Sequence, residues 1–153
     1  MNERDVEFLR AAFAAARRAR ERGNTPFGAI LVSENGEILL EAENTENTNR
    51  DCTGHAETNL VREASQQFDQ AALAKCSLYS SAEPCAMCAG AIFWSGIGRV
   101  VYGLSSSRIN ALALDNSPHL LLPCGDVFAA GHRAIELEGP ALEEEAEIAF
   151  KGQ

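Results

Sequence analysis

Residues 76–103, CSLYSSAEPCAMCAGAIFWSGIGRVVYG, decide the fold class. Cys76–Ser80 and Arg99–Gly103 are short runs of aromatic, branched and small residues that fit a pleated sheet. Between them, Cys85–Ser95 is dense in Ala and large apolar groups, which predicts a mostly buried helix. A strand, a buried helix and a second strand in this order belong to an α/β sheet with helices on its faces.

On the N-terminal side, Val6, Leu9, Phe13 and Ala16 recur at helical spacing within residues 3–22, and Gly23-Asn24-Thr25-Pro26 breaks that helix. Gly28–Ser33 and Glu37–Ala42 are apolar runs around Glu34-Asn35-Gly36, a hairpin signal. Asn44–Thr53 is too rich in Asn and Thr for a regular element, and His55–Gln67 predicts a helix with Leu60, Val61 and Ala64 on its apolar face. On the C-terminal side, residues 105–125 predict one helical turn around Ile109–Leu114 and then a loop through Pro118 and Pro123. Ala134–Glu138 predicts a fifth strand, and Ala141–Phe150 a closing helix with Pro140 at its first turn. Residues 1–153 therefore read as one domain, an α/β fold built as a three-layer α/β/α sandwich with a central five-stranded mixed sheet.

The 153 residues carry 13 Lys and Arg against 22 Asp and Glu, a formal charge of -9, with 46% hydrophobic residues. Such values exclude a disordered or fibrous chain. No apolar run reaches the ~20 residues of a membrane span. Met1-Asn2-Glu3-Arg4-Asp5 lacks the apolar core of a signal peptide, so a cytoplasmic protein without membrane contact is expected. Acidity argues against a sequence-independent grip on nucleic acid. Five Cys, an odd count without an export signal, argue against a disulfide framework and leave thiols for other work.

Two motifs carry chemistry. His55-Ala56-Glu57 stands where the polar loop gives way to a helix, and Pro84-Cys85-Ala86-Met87-Cys88 where a strand gives way to one. Cys85 and Cys88, three positions apart, project from the same helical turn, and a helix start favours thiolate over thiol. With His55 they make one nitrogen and two sulfur ligands, a set that zinc accepts while its fourth tetrahedral position stays open; a structural site would close all four. Glu57 is near enough to exchange a proton with water at that position without being obliged to ligate. A lone Cys-x-x-Cys reads as a redox pair or part of a structural metal site, and a lone His-x-Glu carries almost no information. Together they resemble the signature of zinc nucleobase deaminases, in which water attacks an amino-bearing ring carbon, a glutamate shuttles the proton and ammonia leaves.

Over nearly its whole length the chain resembles the cytidine deaminase-like superfamily, in the branch that holds bacterial guanine deaminases and tRNA adenosine deaminases. The resemblance runs through Thr25-Pro26-Phe27-Gly28-Ala29-Ile30, Asn44, His55-Ala56-Glu57, Glu83-Pro84-Cys85-Ala86-Met87-Cys88-Ala89-Gly90-Ala91-Ile92 and Ile97-Gly98-Arg99-Val100-Val101-Tyr102-Gly103. It implies that His55, Cys85 and Cys88 bind one Zn²⁺ and that Glu57 shuttles protons. It also implies that Asn44 and Ala56 contact the bound base, that Phe27 helps to wall the pocket, and that the protein is a homodimer.

The resemblance also separates two sister activities. In the tRNA enzymes the final helix is basic, whereas residues 134–153 here hold six Glu against one Lys. Arg17, Arg18, Arg20 and Arg22 form the one basic cluster, which a solvated helix face also explains. Guanine deaminases of the branch carry an aromatic pair like Phe93-Trp94, whose Trp94 can face a purine; core packing is the alternative. They also hold the amidine edge of guanine with an acidic residue after the fourth strand. Asp115 or its neighbour Asn116 falls there, and a loop-capping role explains Asp115 as well. Cys52, Cys76 and Cys124 read as bystanders, and Glu83 as a group that orders the cysteine loop or as a surface carboxylate. The expected activity is zinc-dependent hydrolysis of the amino group of a small free base, guanine to xanthine and ammonia, with amino-s-triazines or azaguanine-type compounds as further substrates. tRNA adenosine-to-inosine editing is the alternative enzyme, and a metal-binding or redox module the alternative outside enzymes.

Overall fold

The computed structural model describes residues 1–112 and 118–152. Its centre is a five-stranded sheet of order β2-β1-β3-β4-β5, with β1 at Gly28–Val32, β2 at Ile38–Glu43, β3 at Ser77–Ala82, β4 at Arg99–Leu104 and β5 at Glu136–Glu138. β1 runs antiparallel to both β2 and β3, whereas β3, β4 and β5 are mutually parallel, so the sheet is mixed as expected.

Side chains alternate across the strands and feed two cores. Ala29, Leu31, Leu78, Val100 and Tyr102 face one side, where Leu60 of α3 (Ala56–Gln67), Ile92 of α5 (Ala86–Ser95) and Phe128 of α7 (Cys124–Ala129) cover them. Ile30, Val32, Tyr79 and Val101 face the other, under Leu9 and Phe13 of α1 (Glu3–Glu21) and Ala146 and Ala149 of α8 (Glu143–Lys151). These are the three layers the sequence predicts. A Cβ on Gly28 would lie 2.5 Å from the Ala16 amide nitrogen, so glycine lets α1 press directly on β1.

The hairpin has a three-residue loop. Gly36 N–H donates to Ser33 O at 3.0 Å and Gly36 takes φ +86°, a turn closed by a left-handed glycine. Four further details differ from expectation. The stretch 44–53 contains a short helix, α2 at Glu46–Asn49, whose Asn47 and Thr48 amides donate to the buried Asn24 side chain at 3.0 and 3.1 Å. A second short helix, α4 at Gln70–Leu73, starts at an Asp69 cap. The turn expected at Ile109–Leu114 is α6 at Ser106–Leu112, and the loop expected through Pro123 ends in α7. The last helix begins at Glu143 after a left-handed Leu142, so Pro140 lies outside it. Among the described residues, no helix is long and apolar enough to cross a membrane.

This topology assembles the site. Because β1 opposes β2 and β3, the start of β1 and the ends of β2 and β3 share one edge of the sheet. Phe27, Asn44 and the Glu83-Pro84-Cys85 turn meet there.

Candidate metal centre

His55 is the cap residue of α3 and Cys85 that of α5, both with extended backbone (φ -75° and -68°). Neither side chain makes a hydrogen bond to its own helix, so both are free to point between the helices. His55 Nδ1 lies 3.5 Å from Cys85 Sγ and 3.4 Å from Cys88 Sγ, and the ligand atoms of all three residues fall within 4.8 Å of one another. A tetrahedral zinc with ordinary Zn–N and Zn–S bonds sets its nitrogen and sulfur ligands about 3.5 Å apart. The arrangement fits that ion. Cys52 is exposed and takes no part in the group, and Cys76 and Cys124 are buried elsewhere.

The electrostatics suit the chemistry. The hydrogen bond from Cys88, aided by His55, pulls the Cys85 thiol down to about 4, while donating to Cys85 pushes Cys88 up. The same contact with Cys85 raises His55. Glu57, only 6% exposed, is pushed up to about 7, first by burial and then by the negative charge of Cys85.

Asn44 is fully buried, and its backbone N–H donates to Phe27 O at 3.0 Å. Phe27 packs at a tilt against Phe150 of α8, ring centroids 5.7 Å apart, so it touches the C-terminal helix of its own chain. Ala56 is fully buried at the start of α3. Trp94 stands apart from the others: it sits near the far end of α5 from Cys85, edge-on to Phe93, and is 77% exposed. Asp115 and Asn116 lie outside the described residues. Of the N-terminal arginines, Arg18 pairs with Glu41 at 3.3 Å, Arg22 pairs with Glu43 and Arg20 donates to Phe150 O.

Glu83 takes the first of its two expected roles, and Glu46 gains a place that sequence reading did not assign. Glu83 accepts from the amides of Ser106 (3.1 Å) and Cys124 (3.3 Å), which ties the cysteine loop to the starts of α6 and α7. Glu46 brings Oε1 to 3.4 Å from His55 Nε2. The legible signal was Asn44-Thr45-Glu46 itself, since Asn44 Oδ1 accepts from Glu46 N–H at 3.0 Å in a turn that Asn favours.

Comparison with known proteins converges on this centre. Residues 2–104 match the family described as "Cytidine and deoxycytidylate deaminase zinc-binding region". The chain is 41% identical to the "Probable cytosine deaminase" of Schizosaccharomyces pombe over 99% of its own length and 93% of the relative's. It is 38% identical to the tRNA-specific adenosine deaminase of Bacillus subtilis over 86% and 90% of the two chains. The solved guanine deaminase of Nitrosomonas europaea superposes with a TM-score of 0.79 at 25% identity, covering 95% of this chain and 81% of that one. A match of this extent, on a His/Cys/Cys group of zinc-sized spacing, makes the chain a zinc-binding member of the cytidine and deoxycytidylate deaminase family.

Proposed function

We propose that residues 1–153 act as one deaminase domain that hydrolyses the exocyclic amino group of a free heteroaromatic base. The observation that carries the enzymatic reading is the buried carboxyl of Glu57 in the first turn of α3, two residues from His55, a group that a purely structural metal site does not need. Zinc held by His55, Cys85 and Cys88 supplies acidification of water from a pKa of ~15.7 to ~7. Glu57 would take a proton from the water that attacks the amino-bearing ring carbon and return it to the amino group, which leaves as ammonia as that carbon becomes a carbonyl. Asn44 and the buried start of α3 at Ala56 orient the base, and Phe27 with Phe150 walls the pocket and excludes solvent.

A free base is favoured over a tRNA loop by charge. A stem-loop needs unpaired cations at the rim. Here Arg18, Arg20 and Arg22 are engaged within the chain, and α8, which packs against Phe27 through Phe150, opens with Glu143, Glu144 and Glu145. Cytosine, giving uracil and ammonia, ranks first among the bases because the relative matched end to end bears that activity in its name. Guanine, giving xanthine and ammonia, is the second reading and rests on the guanine deaminase of the same architecture; Trp94 lends it no support within one chain. Amino-s-triazines and azaguanine-type compounds belong to the same chemistry.

The partner we propose is a second copy of the chain. α5 is apolar all round, which suits a fully buried helix. Yet Met87, Gly90, Ala91 and Trp94, spaced along one face, are not buried, and a Cβ on Gly90 would meet nothing within 4 Å. The unpaired state of all five cysteines suits a reducing, cytoplasmic setting.

The test is ammonia release by the purified protein with cytosine, guanine, adenine, their nucleosides, ammeline and a tRNA anticodon stem-loop in parallel. Turnover of a free base is the expected result. Turnover confined to the stem-loop overturns the proposal.

A further inference from the structure

Glu46 belongs to neither ligand motif, yet one of its oxygens meets both halves of the site. Oε1 accepts from Asn44 Nδ2 at 2.8 Å and stands 3.4 Å from His55 Nε2. His55 turns Nδ1 toward the two sulfurs, and with zinc bound at Nδ1 the proton of its neutral ring would sit on Nε2, the nitrogen that faces Glu46. The carboxylate is held where it can receive that proton. Glu46 N–H is fixed by Asn44 Oδ1, and Thr45 N–H donates to Gly54 O at 2.8 Å. Asn59 Nδ2 on α3 donates to Glu43 O at 3.0 Å and to Thr45 Oγ1 at 2.9 Å. The stretch leading into Glu46 is thus pinned to the helix that His55 begins.

We infer that Glu46 is a positioning residue: its Oε1 fixes the orientation and tautomer of His55 for zinc and, through the same atom, the amide of Asn44 for the base. Partners of this kind orient metal-bound imidazoles, and their loss typically weakens metal binding 10–100-fold. Sharing one oxygen between His55 and Asn44 links the two events. A perturbation at Glu46 shifts zinc affinity and base affinity together, whereas loss of Asn44 alone touches the base. The inference rests on the zinc-deaminase reading of the site, and the test separates the two.

Zinc affinity is measured by competition with a chromogenic chelator on the wild type, Glu46→Ala and Glu46→Gln, with the absorption spectrum of the Co²⁺-substituted proteins as a second readout. Glu46→Ala should bind zinc roughly 10–100-fold more weakly, shift the Co²⁺ bands and raise KM for the base. Glu46→Gln, which keeps an oxygen acceptor in place, should recover most of the affinity and the wild-type bands. A Glu46→Ala protein with wild-type affinity and spectrum overturns the inference, and so does a Glu46→Gln protein as impaired as Glu46→Ala. Should Glu46→Ala fail to fold, Glu46→Gln with wild-type affinity and KM sustains the inference and a 10-fold loss overturns it. A wild type that binds no zinc brings down the site reading itself.

Discussion

Asp5 and Arg99, 94 residues apart, meet in a two-pronged ion pair, Nη1 to Oδ1 at 2.8 Å and Nη2 to Oδ2 at 2.9 Å. Asp5 also closes the cap of α1 with Asn2 and accepts from the Tyr79 hydroxyl. Three elements, α1, β3 and β4, are therefore joined through one buried carboxylate.

Asp5→Ala should destabilise the protein by about 3 kcal/mol, because it strips one partner from a buried pair. For a chain of this size that corresponds to a fall in Tm of roughly 6–12 °C, readable by calorimetry. The contribution depends on pH in a defined direction. Arg99 holds the Asp5 carboxyl well below its ordinary range, and burial with the Asp5 contact pushes Tyr79 up to about 12. The depressed carboxyl stabilises the fold fully above the unfolded value of ~3.9 and loses that effect as pH falls below it. Urea melts of wild type and Asp5→Asn should differ most near neutrality and converge in acid; a constant gap down to pH 2 would contradict the role given to Asp5.

Glu57→Gln keeps shape and burial but cannot shuttle a proton. It should retain zinc at one ion per chain while ammonia release falls by about 10²–10⁴-fold. Metal content by plasma emission and turnover on the same sample check both halves. Normal turnover would refute the assigned mechanism.

Stripping the metal with a strong chelator should abolish activity and lower thermal stability, and added Zn²⁺ should restore both. Cys88→Ser should bind zinc poorly from the outset, since a fully buried hydroxyl replaces a soft sulfur ligand. Activity that survives complete metal loss would contradict the zinc mechanism.

Trp94→Glu places a charge on the open face of α5. Sedimentation should show a dimeric wild type and a monomeric variant whose fold, by circular dichroism, is unchanged. A wild type that sediments as a monomer would remove the second copy from the proposal.

Much of the fold was legible because two periodicities dominate it. The apolar spacing of Val6, Leu9, Phe13 and Ala16 belongs to a helix whose Leu9 and Phe13 are buried, and the short apolar runs became the five strands. The three ligand residues were legible because their motifs sit at helix starts, where chain direction alone aims the side chains. Other features depend on distant contacts. α2 forms in an Asn- and Thr-rich stretch because Asn24, more than 20 residues earlier, captures its free amides. α8 starts late because Leu142 turns left-handed ahead of three glutamates. The Asn44-Thr45-Glu46 turn was legible, but the approach of Glu46 to His55 was not, because the two are close only after the loop folds back through Asn59.

The two helix starts that carry His55 and Cys85 give up something for their open side chains. A capped start is worth about 1 kcal/mol, and neither cap residue supplies that hydrogen bond to its own helix. An ion gripped by both residues does more than activate water. It acts as a cross-link between segments 30 residues apart, taking the place of a covalent staple in a chain whose thiols are all unpaired. Free zinc would therefore act on the folding equilibrium by mass action, raising the native fraction as its concentration rises.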